Sequence, residues 1–203
     1  MSDVKAEEQV SALEALRAGT SSNHATLDAS LDLMRDDYRP EEYLRTLAAF
    51  YGFVAAWEAQ VLPQAVEAGL SLQAQAGKLR QDLEALGVDA DLLPLASGDA
   101  LPDTHTRAGL YGSSYVMIGS RLGARIIGPR LMKHFNIDEN SGCAYFGGDI
   151  EATGPAWRLF RQQLEAALQP HEHAVAVAAA RATFSRFHQW LVSHGAARAA
   201  QPV

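Results

Sequence analysis

This chain of 203 residues has a single cysteine, Cys143. A lone thiol excludes an internal disulfide and any multi-cysteine zinc or iron–sulfur site, and Cys143 reads as a small, half-buried side chain rather than a nucleophile. Basic residues are also few: 17 Lys and Arg stand against 24 Asp and Glu, a formal charge of −7. Such a chain lacks the cationic surface that nucleic-acid binding needs. Long apolar runs are missing. The longest uncharged stretch in the middle, Ala108 to Ser120, contains three glycines and is too short to span a membrane. The N-terminal residues are polar and acidic and carry no signal-peptide core, so a cytoplasmic protein without membrane contact is expected. Finally, no glutamate is followed three residues later by histidine, which removes a di-iron carboxylate bundle.

What is present is helical patterning. Hydrophobic residues make up 48% of the chain and charged residues 20%, as in an ordinary globular protein able to bury a core. Tyr43, Leu47, Phe50, Val54, Trp57 and Val61 recur at i, i+4, i+7, i+11, i+14 and i+18, a continuous apolar stripe on one helix face. Pro40, Glu41 and Glu42 suit the start of that helix, and Pro63 is expected to kink or end it. Further helices are expected over about 6–18, 22–34, 70–86, 103–127, 155–168 and 171–193. Breaks fall at 87–102 and 136–154, where Gly, Pro, Asn, Asp and Ser accumulate, and the tail from Gly195 to Val203 is expected to fray. Neither a strand pattern nor a repeat is visible. The expectation is an all-α single domain covering 1–203, with its core over about 10–193.

Two segments carry chemistry. Leu16, Thr20, His24, Leu27 and Leu31 share one helix face, so His24 is expected to point inward with the core side. A neutral imidazole there is either a core histidine satisfied by a carbonyl or an axial iron ligand. Arg17 lies two turns earlier on the same face. It is either a solvated surface cation or a partner for a ligand carboxylate. Further on, Gly112, Val116, Gly119 and Gly123 form a stripe of small residues beside the bulky stripe Tyr111, Tyr115, Ile118 and Leu122. Glycine in a helix interior costs about 1 kcal/mol relative to alanine, and close approach of a helix or a flat ligand would offset it. His105, His134, His171, His173, His188 and His194 read as surface or helix-end residues, and none is expected to bind a metal.

Together these segments resemble the haem oxygenase family, in particular the bacterial branch associated with bacteriophytochromes. Leu16, Arg17, Thr20 and His24 match the proximal pattern Leu-(Arg/Lys)-x-x-Thr-x-x-x-His. Tyr115, Val116, Gly119, Ser120, Leu122 and Gly123 match the distal pattern Tyr-Val-x-x-Gly-Ser-x-Leu-Gly. Phe146-Gly147, the run Gly154, Trp157, Arg158 and Phe160, and the run Ala182, Thr183, Phe184 and Phe187 also look like family features. The likeness covers about residues 10–193.

The resemblance implies a haem-oxygenase-like helical bundle that opens haem to biliverdin, CO and ferrous iron. It would use O2 and electrons from ferredoxin or a reductase, and would supply bilin to a bacteriophytochrome. Haem would be both cofactor and substrate. His24 would ligate the iron. Gly119 and Gly123 would belong to a kinked distal helix over the haem, with Ser120 beside them in the catalytic pocket. Arg17 would pair with a propionate, with Tyr115, Arg158 and Arg161 as further candidates for the haem edge. Three positions depart from the pattern. Ile118 stands where the bacterial motif often has Glu, Ala124 replaces a second glycine, and Ser120 stands where animal members carry aspartate. A serine hydroxyl relays a proton but bears no charge, so proton delivery falls to ordered solvent or another group. The competing readings are a catalytically silent haem carrier or sensor on the same fold, a related helical fold without haem such as the thiamin-degrading enzymes or cofactor-making oxidases, and a plain helical interaction module.

Overall fold

Eight α-helices account for the secondary structure that positions the site, in a computed structural model that describes residues 10–148 and 150–199. They are α1 (Ala12–Leu31), α2 (Pro40–Glu67), α3 (Ala76–Ala85), α4 (Arg107–Ser120), α5 (Ala124–Phe135), α6 (Ala144–Gly147), α7 (Ile150–Ala167) and α8 (His173–Ser193). No strand occurs among the described residues, as the patterning implies. Residues 6–9 of the first expected helix, and the last four residues of the tail, lie outside the described residues.

The N-terminal region departs from expectation. Instead of two helices over 6–18 and 22–34, a single α1 runs through the polar stretch Ser21–Ser22–Asn23. Its start is fixed by a capping box. Ser11 accepts from the Glu14 N–H (3.2 Å), and the Glu14 carboxylate accepts from the Ser11 N–H (3.0 Å). Leu16, Thr20, Leu27 and Leu31 stay buried on one face, and this burial outweighs the low helix propensity of the polar stretch. The helix ends where Asp32 turns left-handed (φ 44°).

α2 begins at Pro40 as expected and carries the apolar stripe into the core, with Leu47, Phe53 and Val61 fully buried. Pro63 does not end it. The helix continues one further turn to Glu67, while the Gln60 and Gln64 amides donate to Pro102 O and Thr104 Oγ1 and anchor that turn. α3 starts later than expected, at Ala76, because the Glu58 carboxylate of α2 accepts the N–H groups of Gln75 and Ala76.

The helix expected over 103–127 is two helices. α4 stops at Ser120, a 3-10 turn covers Arg121–Gly123, and α5 continues through Pro129 to Phe135. At Ser120, Arg121 and Gly123 the backbone keeps helical φ but opens to ψ between −23° and −28°, the tighter 3-10 winding that produces a bend without a break. α8 packs closely along α4, because Gly112 has no side chain. A Cβ there would run into the Ala176 carbonyl of α8. Gly128 serves the same purpose against the Phe146 carbonyl.

Candidate functional site

Between α1 and the bent α4–α5 segment lies a cleft of about 550 Å³, within the roughly 300–1,000 Å³ usual for small-molecule sites. α1 contributes Arg17, His24, Leu27, Asp28 and Leu31 to one wall. Tyr115, Val116, Gly119, Ser120 and Gly123 form the opposite one. Phe50, Phe184 and Phe187, from α2 and α8, close the interior end with aromatic rings.

His24 does not point into the core. Its side chain is 59% exposed, on the cleft side of α1, with its ring edge toward Phe184 at 5.9 Å. Its Nδ1 lies 2.9 Å from Asp28 Oδ2, one turn along the helix. With Nδ1 facing that carboxylate, Nε2 is the ring nitrogen turned away from it, an arrangement also used by ligating histidines with a carboxylate behind them. The core-histidine alternative is therefore removed.

The glycine stripe divides by task. Gly112 serves helix packing, whereas Gly119 and Gly123 line the cleft with room for a methyl group at ordinary contact distance. The nearest atom a Cβ would meet outside its own helix is Trp157 Cη2 at 3.8 Å for Gly119, and for Gly123 only the Ile127 side chain at 3.5 Å. Bare backbone thus forms the cleft wall opposite His24, where a flat ligand can approach closely. Tyr115 also lines the cleft and packs its ring against Trp157 (5.8 Å). Arg17 lines it as an exposed cation. Arg158 and Arg161 are exposed on α7 and are not among the lining residues.

Sequence reasoning missed several members of the site. Asp28 carried a readable signal, its i+4 spacing from His24. Arg121 and Tyr145 carried none, because their roles depend on a tertiary contact. Arg121 is 8% exposed, at the bend itself. Its guanidinium donates to the carbonyls of Tyr145 and Gly148 and lies over the Tyr145 ring (4.7 Å). The turn it grips is held in turn by buried Asp82 of α3, which accepts from the Ala144 N–H (2.5 Å) and the Tyr145 N–H (2.9 Å). The bend is thereby tied to α3 through two hydrogen-bonded steps, from Asp82 to the 144–148 segment and from that segment to Arg121. No group of three or more His, Cys, Asp or Glu side chains that could hold a metal ion occurs among the described residues.

The family model described as Heme oxygenase matches residues 10–193. The chain belongs to this family. A heme oxygenase of Xanthomonas campestris pv. campestris (strain 8004) is 33% identical over 164 residues, covering 75% of this chain and 90% of the relative. Among solved structures, the NO- and CO-bound haem oxygenase of Neisseria meningitidis superposes with a TM-score of 0.76 at 23% identity, over 91% of this chain and 92% of the other. The haem oxygenase of Leptospira interrogans gives 0.73 at 18% identity, over 90% and 99%. Haem oxygenase-2 of Synechocystis sp. PCC 6803, in complex with haem and NO, gives 0.74 at 15% identity, over 91% and 85%. At these identities the superpositions establish a shared all-helical fold. With the family match and the curated relative, the chain is a haem oxygenase, an enzyme of haem degradation with haem as its ligand. No helix among the described residues is long and apolar enough to cross a membrane.

Proposed function

We propose that the chain binds haem between His24 and the Gly119–Gly123 backbone. In this reading it opens the ring oxidatively to biliverdin, CO and ferrous iron, using O2 and electrons from ferredoxin or a reductase, and supplies the bilin to a bacteriophytochrome. The observation that carries this is the pairing, across one cleft, of an imidazole whose Nδ1 is already engaged with a helix wall stripped of side chains. The residues fit the group. A single imidazole, His24, lines an apolar, ring-lined slot, and a cation stands at Arg17. When bound, haem supplies both the iron that activates dioxygen and the ring that is oxidised.

The chain's own residues orient and enclose. His24 would hold the iron, and Asp28 orients His24. Phe50, Phe184 and Phe187 exclude water from the interior end, and Arg17 would meet a propionate at the exposed end and so set how the ring is turned. Gly119 and Gly123 leave room for a diatomic ligand over the ring, and Ser120 offers a hydroxyl beside it. The bacteriophytochrome connection is supported by the Tyr115–Gly123 motif.

Reconstituting the chain with haemin, reducing it anaerobically, admitting O2 and identifying the product tests the proposal. Biliverdin with released CO is expected, and intact haem after repeated reduction would overturn it. His24→Ala should lose the axial ligand, seen as a change in the haem absorption spectrum.

A further inference from the structure

A second, smaller chamber of about 60 Å³ adjoins the cleft. It shares three wall residues with the haem cleft: Met117, Arg121 and Tyr145. Exposed Ser71 and Gln73 rim its outer end, and buried Glu58 of α2, 6% exposed, lines its interior. The volume suffices for a few water molecules, and Glu58, Gln75, Thr153 and Arg121 supply the polar partners such waters need.

We propose that Glu58 is the proton reservoir of the distal pocket, delivering protons through the chamber to Tyr145 and from there to Ser120 in the haem cleft. The inference rests on the haem-degrading function proposed above. It answers a need the sequence creates, since the distal wall has no carboxylate where animal members carry one.

The geometry makes Tyr145 the connecting group. Its side chain is buried and lines both spaces: Glu58 lines the chamber with it, Ser120 lines the cleft with it, and the Arg121 guanidinium lies over its ring (4.7 Å). Burial pushes its phenol up, so it stays a neutral hydroxyl able both to accept and to donate. Burial pushes the Glu58 carboxyl up as well, against the N–H groups of Gln75 and Ala76 that favour its charged form, so it holds a proton at higher pH than an exposed glutamate. The other charged groups facing the chamber are Lys78 of α3 and Arg121 at the bend.

The transfer is neutral overall. The Glu58 Oε–H bond breaks and its proton passes through water to Tyr145 Oη. The Tyr145 proton moves to Ser120 Oγ, and the serine proton, otherwise donated to Met117 O (2.8 Å), passes into the cleft. A solvent proton admitted past Ser71 and Gln73 restores the carboxylic acid. No electron moves.

Glu58 also caps α3, so the test must separate relay from structure. Glu58→Gln keeps an oxygen for the Gln75 and Ala76 N–H groups and removes the transferable proton. In the haem-free protein, infrared titration should show a neutral carboxylic-acid band persisting above the ordinary glutamate range, and E58Q should lack that component. In the haem complex, E58Q should bind haemin as wild type does, yet open it about tenfold more slowly, with a loss that grows as pH rises. Tyr145→Phe should reproduce that loss, and the double variant should add little to it. An infrared spectrum unchanged by E58Q, or ring opening by E58Q at the wild-type rate and pH profile, would overturn the relay. If E58Q does not fold, a wild-type pH profile in Y145F overturns it alone. Failure of the wild-type chain to open haem would instead overturn the function itself, while the infrared comparison would still decide whether Glu58 stores a proton.

Discussion

His24 and Asp28 form one unit, an imidazole Nδ1 held 2.9 Å from a carboxylate one helical turn away. Such a partner orients a metal-ligating ring and raises its basicity, and its removal usually costs roughly 10- to 100-fold in affinity for the metal. Asp28→Ala is therefore expected to weaken haem binding by that order while leaving the helix intact, since both side chains are largely exposed. Haemin titration followed by absorbance measures it. Asp28→Asn should retain more affinity than Asp28→Ala, because the amide oxygen still accepts from Nδ1. Equal affinities for wild type and D28A would mean that Asp28 does not hold the ligand.

Gly112 and Gly119, on one stripe, should respond oppositely to a single methyl group. At Gly112 it would strike the Ala176 backbone, which has no room to move, so Gly112→Ala should lower apo-protein stability by about 1–3 kcal/mol. At Gly119 it would meet only Trp157 at ordinary contact distance, so Gly119→Ala should leave stability unchanged or raise it by up to about 1 kcal/mol through helix propensity. The cost of G119A should appear in the haem complex, as weaker binding or an altered spectrum. Thermal unfolding of the apo-protein and haemin titration, run on both variants, separate these outcomes.

This contrast shows what the sequence could disclose. Periodicity is local, and it placed α2 from Pro40 and set Gly112, Gly119 and Gly123 on one stripe, but it cannot tell a glycine packed against a helix from one facing a cavity. The same limit explains His24. Its spacing from Leu16 and Leu27 assigns a face, yet whether that face meets core or cleft depends on where α4 and α8 sit. The single α1 was hidden because residues 19–21 fall between the expected helices 6–18 and 22–34, while the capping box at Ser11 and burial of Leu27 and Leu31 act over a longer span. Arg121 and Tyr145 were invisible for a stronger reason: an arginine between Ser120 and Leu122 looks solvated until the turn at 144–148 folds over it.

Asp82 anchors that turn. Fully buried, it satisfies the N–H groups of Ala144 and Tyr145, whose carbonyl neighbours then hold Arg121. Asp82→Ala leaves two buried donors without partners and should cost roughly 3 kcal/mol in a denaturant titration. Because the bend loses its tie, the variant's haem complex should also show a broadened or split absorption spectrum. Wild-type stability in D82A would show that the turn keeps its shape without this contact.

Alkaline conditions should destabilise the fold earlier than its carboxylates and lysines would suggest. Burial pushes the Cys143 thiol up from 9.0 to about 11, and the Tyr38 hydroxyl up from 10.0 to about 12. For an acid whose folded value exceeds its unfolded one, the unfolded chain releases its proton first, so stability falls as pH rises through the interval between the two. The losses begin near pH 9 for Cys143 and near pH 10 for Tyr38, and each reaches no more than about 3 kcal/mol. Denaturant midpoints should accordingly hold steady up to about pH 8.5 and then decline, less steeply in Cys143→Ala than in wild type. The same burial predicts that Ellman's reagent leaves the native thiol untouched near neutral pH and labels it fully once the chain unfolds. Rapid labelling of the folded protein would show that the turn around Cys143 opens far more readily than its packing implies.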